Sequence, residues 1–331
     1  MKNIATFISV GLLLSSVSER KVQAQSITPL PSGNNGIAAK YAGDANIKSD
    51  PAVIFADDFE SYTSSSDLWK NWSNVYQQVD TRIATESGNT FSGSHALEFK
   101  VPRQTSEIAN AVEKALSPML DTVFVRVYTK FGSGFNATGS EHNGISIGAN
   151  YCCAGVPANG TNKFLVDVEN SRDYPNDTSY PGFTNSYVYY PEQRDVYGDH
   201  WYPDGTELPY SSTPGNFGTY FVKRPNFTPA VNRWYSYELM VKANTPGQRD
   251  GRVAIWIDGN LVADFQNVRL RDVNTLKIDK VSLDLYIKSN SSSTDYFKYY
   301  DNVVIASSYI GPMSTTNGSV APPTGLSATA K

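Results

Sequence analysis

Cysteine is almost missing from this chain of 331 residues: the only two, Cys152 and Cys153, are neighbours. A disulfide framework is therefore excluded, and a chain of this length can bury a core without one. Neighbouring cysteines close only a strained ring. Two small buried side chains on a turn are the first expectation, and a rigid vicinal disulfide shaping a loop near the ligand is the alternative. Histidine is scarce as well, with three residues, none spaced from the cysteine pair as a zinc site requires. There is no basic excess: 28 Lys and Arg stand against 32 Asp and Glu, for a net charge of -4. That balance argues against a nucleic-acid or anionic-membrane partner. No dense acidic loop of the EF-hand kind is present. No metal site and no required cofactor are expected, with room left for a structural calcium. No repeat of fixed period appears.

The apolar run Ile4 to Val17 follows Lys2 and is too short to span a bilayer comfortably. With Val22-Gln23-Ala24 after it, residues 1–24 read as a signal peptide, which implies a secreted or periplasmic protein. Residues 25–50 read as a polar leader or linker. Residues 51–312 form the expected folded domain, and 313–331 are linker-like. Within that tail "APPTGLSATA" resembles the opening strand of a fibronectin type III module. A monomer is expected.

Helical signals are also few. "SEIANAVEKAL", Ser106 to Leu116, is the one segment expected as a helix, with Ile108, Val112 and Ala115 on one face. Elsewhere apolar and polar residues alternate, as in "TVFVRVYTKF", "KFLVDVEN", "GRVAIWIDGNLVADF" and "DKVSLDLYIK". "IDGN" supplies an Asp-Gly hairpin turn. Many strands with polar turns imply an all-β sandwich or barrel.

Alternation also sorts side chains by face. Val281, Leu283, Leu285 and Ile287 oppose Ser282, Asp284, Tyr286 and Lys288. Phe164, Val166 and Val168 oppose Asp167 and Glu169. Val125 and Val127 oppose Arg126, Tyr128 and Lys130, and Val253, Ile255 and Ile257 oppose Arg252 and Trp256. His142 has the parity of Ser146. A dry face thus opposes a face of rings and charges, which suits a sugar: pyranoses stack their C–H faces on aromatic rings and give their hydroxyls to polar groups. In "SYVYYPEQRDVYGDHWYP", Ser186 to Pro203, Tyr187, Tyr189 and Trp201 are expected to stack on sugar. Glu192, Arg194, Asp199 and His200 are expected to contact hydroxyls or a carboxylate.

Three segments carry a family resemblance. "FADDFESY", "DTVFVRVYTKFGSGF" and the run from "DGRVAIWIDGN" to "YYDNVVIA" resemble the concanavalin A-like superfamily. More narrowly, they resemble its polysaccharide lyases of the alginate and glucuronan lyase type. The resemblance implies a concanavalin A-like β-jelly-roll sandwich of two antiparallel sheets and a polysaccharide partner.

Three functions fit. A lyase working by β-elimination needs a base, a neutraliser for the uronate carboxylate and an acid for the leaving oxygen. Such lyases use Tyr and His as base or acid, with Arg, Asn or Gln at the carboxylate. Here His142 or Tyr189 would be base and acid, with Arg126 and Asn143 at the carboxylate. Tyr128, Lys130, Tyr187, Arg194, His200, Trp201, Trp256, Tyr286 and Lys288 would bind substrate. A glycoside hydrolase needs two carboxyls about 5 Å apart. Asp167 and Glu169 match only the second half of the Glu-x-Asp-x-Glu run of hydrolases of this fold, and Leu165 stands where the first glutamate would be. Glu192 or Glu141 could complete the pair. A non-catalytic glycan-binding module needs only the aromatic groove.

Overall fold

The computed structural model describes residues 28–137, 141–209 and 216–314. From Pro31 on these belong to one compact unit. The expected signal peptide, and the tail beyond residue 314, lie outside the described residues.

The strands are β1 (Val53–Asp57), β2 (Asn74–Tyr76), β3 (Thr81–Ala84), β4 (Ala96–Val101), β5 (Ile108–Leu120) and β6 (Thr122–Phe131). Then follow β7 (Glu141–His142), β8 (Ile145–Ala149), β9 (Phe164–Ser171), β10 (Phe183–Tyr189), β11 (Asp199–Trp201) and β12 (Glu207–Leu208). The last are β13 (Tyr235–Lys242), β14 (Gly251–Ile257), β15 (Asn260–Val268), β16 (Ile278–Ile287) and β17 (Tyr296–Ala306). Helix among the described residues is limited to short 3-10 turns. The fold is therefore the expected all-β sandwich of two antiparallel sheets. One sheet runs β15-β14-β13-β6-β17-β4-β3, with β1 also on β17. The other runs β12-β11-β10-β9-β8-β16-β5-β2, with β7 also on β16.

The core lies between the sheets and is built by alternation. Val125 and Val127, Phe164, Val166 and Val168, Val253 and Ile255, and Leu283 and Leu285 all enter one apolar cluster. The Asp258-Gly259 turn joins β14 to β15 with both residues at positive φ (49° and 77°). That is the backbone that a two-residue hairpin requires.

The expected helix at 106–116 is a strand. β5 pairs along β16, with Ile108 opposite Ile287 and Val112 opposite Leu283. Apolar residues at 108, 112 and 116 are four apart, a spacing that fits a helix face and a strand face equally. Buried Asn110 between them shows that the period is two.

The segment expected as a polar leader packs on the outside of the first sheet from Pro31 on. Ile37, Ala38 and Ile47 are buried, and Ile37 and Ala38 donate backbone hydrogen bonds to Tyr309 and Ile310. The two passages, 31–50 and 309–314, clasp the outward side chains of β6, β13 and β14. Arg126 pairs with Asp44. Trp256 Nε1 donates to the Pro31 carbonyl at 2.8 Å. Tyr128 accepts from the Met313 amide at 2.8 Å, and Glu238 accepts from the Ile310 and Gly311 amides. Burial pushes the Glu238 carboxyl up to about 7.

Removing one partner of a buried ion pair costs about 3–5 kcal/mol, because the other charge is left uncompensated. Arg126→Met is therefore expected to lower unfolding stability by about 3 kcal/mol while leaving turnover per folded molecule unchanged. Denaturant titration beside an activity assay measures both.

Candidate active site

Among the described residues, the outer face of the second sheet is the broad face on which rings and charges gather. Parity places on it Asn185, Tyr187 and Tyr189 of β10, Asp167 and Glu169 of β9, and Ser146 of β8. Ser282, Asp284 and Tyr286 of β16, His142 of β7 and His200 of β11 complete it. The register brings them side by side: Tyr187 lies opposite both Asp167 and His200, Asn185 opposite Glu169, and Tyr286 opposite His142.

At the centre is Glu169, with no exposed surface. Its carboxylate accepts from His142 Nδ1 at 2.7 Å on one oxygen, and His200 Nδ1 lies within ion-pair distance, 3.1 Å, of the other. His200 Nδ1 also lies 3.0 Å from Asn185 Oδ1. Since all these partners are acceptors, each Nδ1 carries its proton, and Nε2 becomes the working atom of each ring. The Tyr187 ring sits between the imidazoles, with centroids 4.5 Å from His142 and 4.9 Å from His200. Tyr286 flanks His142 on the other side at 5.4 Å.

Burial alone would lower the His142 pKa, but the Glu169 carboxylate outweighs it, and the imidazole rises from 6.5 to about 9. Glu169 answers in the opposite sense: burial would raise it, yet the two histidines bring it down to about 2. Burial pushes Asp284 up to about 6, against the hydroxyls of Ser146 and Ser282. Asp167 is driven well above the carboxylate range by burial and by Asp284. Burial and the Glu107 carboxylate, 3.0 Å from the phenol, push Tyr286 up to about 12. One ligand atom each from His142, Asp167 and Glu169 lies within 4.8 Å of the others, so this trio could hold a metal ion.

Of the residues expected at the site, His142, Asp167, Glu169, Tyr187, His200 and Tyr286 do gather here. Tyr189 shares the face but has no exposed surface. Tyr151 covers it, Lys163 lies over its ring at 4.6 Å, and its hydroxyl accepts from Tyr187 at 3.4 Å. Lys288 is exposed just past β16.

The others are corrected. Arg126, Tyr128, Lys130 and Trp256 belong to the first sheet, and their outward face is the clasped one. Lys130 is spent on Asn89 and on the Tyr299 and Trp234 rings. Asn143 points into the interior, 1% exposed. Trp201 is core, packed on Tyr190, Phe217 and Phe265. Arg194 pairs with Glu207 and Asp199, and Glu192 with Arg249 and Arg269. Sequence reasoning missed Asn185, whose parity with Tyr187 and Tyr189 was the available signal, and Lys163 and Tyr151, which only the folded loop brings over the face.

Residues 181–302 match the family model Polysaccharide lyase 14. The match includes Tyr187, His200 and Tyr286. Solved structures share the fold. Alginate lyase Aly36B is 17% identical over 79% of this chain and 99% of its own, with a TM-score of 0.56. The marine alginate lyase from Aplysia kurodai is 15% identical over 77% and 99%, at 0.54. The endo-β-1,4-glucuronan lyase of the fungus Trichoderma reesei is 15% identical over 77% and 96%, at 0.50. No curated protein matches the chain. The resemblance to jelly-roll polysaccharide lyases thus stands, and the family match supports a lyase.

The raised pKa of His142 contributes stability that is fully present below about 6.5 and is lost as pH rises through about 9. Glu169→Gln removes the charge responsible. The His142 titration is then expected to fall below 9 toward neutrality, followed through its ring protons by NMR.

Proposed function

We propose that the protein cleaves a uronic-acid-containing polysaccharide by β-elimination at the His142–Glu169–His200 cluster. The single observation carrying this reading is the doubly paired Glu169, which aims two Nε2 atoms away from one buried carboxylate and keeps His142 cationic near neutral pH. The match of residues 181–302 to Polysaccharide lyase 14 favours the same reaction class.

Each requirement of the reaction has a side chain. The cationic His142 stands at the middle of the row and neutralises the uronate carboxylate, which acidifies the adjacent C–H. His200, its Nδ1 anchored, takes that proton on Nε2. Nε2 faces the rim of the site, 3.9 Å from exposed Asp173. Tyr286, held protonated, donates to the leaving oxygen. Base and acid thus approach from opposite sides of the carboxylate clamp. This reading requires no cofactor. A polymer too large to enter a cell implies that the protein works outside the cytoplasm.

A hydrolase reading gains nothing from the geometry. Glu169 has no exposed surface and a histidine beside each oxygen, and Asp167 is 5% exposed, so neither is placed as a nucleophile toward solvent.

Incubation with polyuronates is expected to yield an unsaturated uronyl end that absorbs in the ultraviolet, with no water added. New reducing ends without that absorbance would overturn the reading. His142→Gln, His200→Gln and Tyr286→Phe are each expected to lower kcat/KM by about 100-fold or more, the usual scale for an acid or base. Chelation is expected to leave the rate unchanged, and a loss restored by a divalent ion would reassign His142, Asp167 and Glu169 to a metal.

A further inference from the structure

We propose that Asn143 is a positioning residue, whose buried amide, braced by Lys298 from the opposite sheet, sets the His142 ring against Glu169. The inference rests on the reading of His142 as a catalytic group.

The argument begins with a gap in the second sheet. On the β16 side the register continues from Tyr286 opposite His142 to Leu283 opposite Ile145. On the β9 side pairing starts only at Ile145 opposite Val168. Asn143 would face Asn170 there, and its side chain takes the place of the missing peptide pairing. The Asn170 amide donates to Asn143 Oδ1 at 2.9 Å, and Asn143 Nδ2 donates to the Asn170 carbonyl at 2.7 Å. Gly144 permits the approach, since a Cβ there would lie 1.6 Å from the Val168 carbonyl oxygen. His142 directly precedes Asn143, and Glu169 directly precedes Asn170. The two hydrogen bonds therefore tie together the residues next to the two members of the ion pair.

The brace comes from the other sheet. Lys298, 2% exposed, crosses the interior and donates to the Asn143 carbonyl. Burial drives its ammonium well below the usual range. Asn143 Nδ2 also lies 3.2 Å from buried Glu141, and Asn170 Nδ2 donates to Thr184 at 2.8 Å. These polar groups form an island in a core of valines, leucines and isoleucines. Such burial is costly, and the island lies directly behind the site. His142 faces Glu169 and Asp167 of β9, Tyr187 of β10, His200 of β11 through the shared carboxylate, and Asp284 and Tyr286 of β16, with Lys298 behind the strand. A displaced backbone at 143 would change its distance to all of them.

The test uses the full chain, with Asn143→Ala, Asn143→Asp, which keeps the acceptor for the Asn170 amide, and Lys298→Met. With three histidines in the chain, the His142 ring titration can be assigned by NMR and needs no activity. In Asn143→Ala that titration is expected to move down by about one pH unit. On a polyuronate kcat is expected to fall about 10–100-fold, the usual cost of losing an outer positioning partner, with KM within about twofold. Asn143→Asp should recover part of both, and Lys298→Met should move both in the same direction. If Asn143→Ala does not fold, the other two variants decide. A folded variant whose His142 titration is unmoved overturns the proposal, even where kcat falls. If the wild type forms no unsaturated product, the lyase reading fails, while the titration still decides whether Asn143 sets the His142–Glu169 pair.

Discussion

A carboxylate removed from water has to be matched by positive charge or proton donors, and Glu169 is matched by two imidazoles. This one charge fixes the protonated nitrogen on both rings, keeps His142 cationic near neutral pH and spaces the pair around Tyr187. Deep burial strengthens the attraction that water would screen. It also explains why Asp167 and Asp284 shift upward: burial opposes a further full negative charge on either, and at Asp167 repulsion from Asp284 and Glu169 adds to it.

The sandwich supplies the rigidity this charge needs. Glu169 and Asp167 come from one strand, while the histidines come from strands on either side of it. Their spacing is therefore set by the strand separation rather than by flexible loops. The flanking phenols divide by exposure. Tyr286 is half-open and able to meet a sugar, whereas Tyr187 and Tyr189 are packed and serve as walls.

Much of the fold was legible because period-two alternation is a local signal. Val281 to Lys288 and Phe164 to Glu169 could be sorted onto opposite faces from sequence alone, and the Asp-Gly turn named its hairpin. At Ile108, Val112 and Leu116 the two periods coincide, and only pairing with β16 separates them. Face assignment within a strand does not reveal which sheet the strand joins. That is why Arg126 and Trp256 were grouped with Asp167 and Tyr286, although two apolar layers separate them. Nor could parity foresee that residues 31–50 would cover the first sheet. For Trp201 the ambiguity is simpler: it alternates with His200, and on a strand of three residues the sequence does not say which of the two faces the core. His142, Glu169, His200 and Tyr286 were all named, but their convergence on one carboxylate depends on register, a long-range property.

The clasp across the first sheet has one more effect. Among the described residues it shuts the outward side chains of β6, β13 and β14 away from solvent, while the candidate site lies open on the outer plane of the second sheet. Against a gel or a cell-wall layer, such a body works only when it lands with the open plane down. Its rate on solid material would then follow the area of polymer laid bare rather than the total mass supplied.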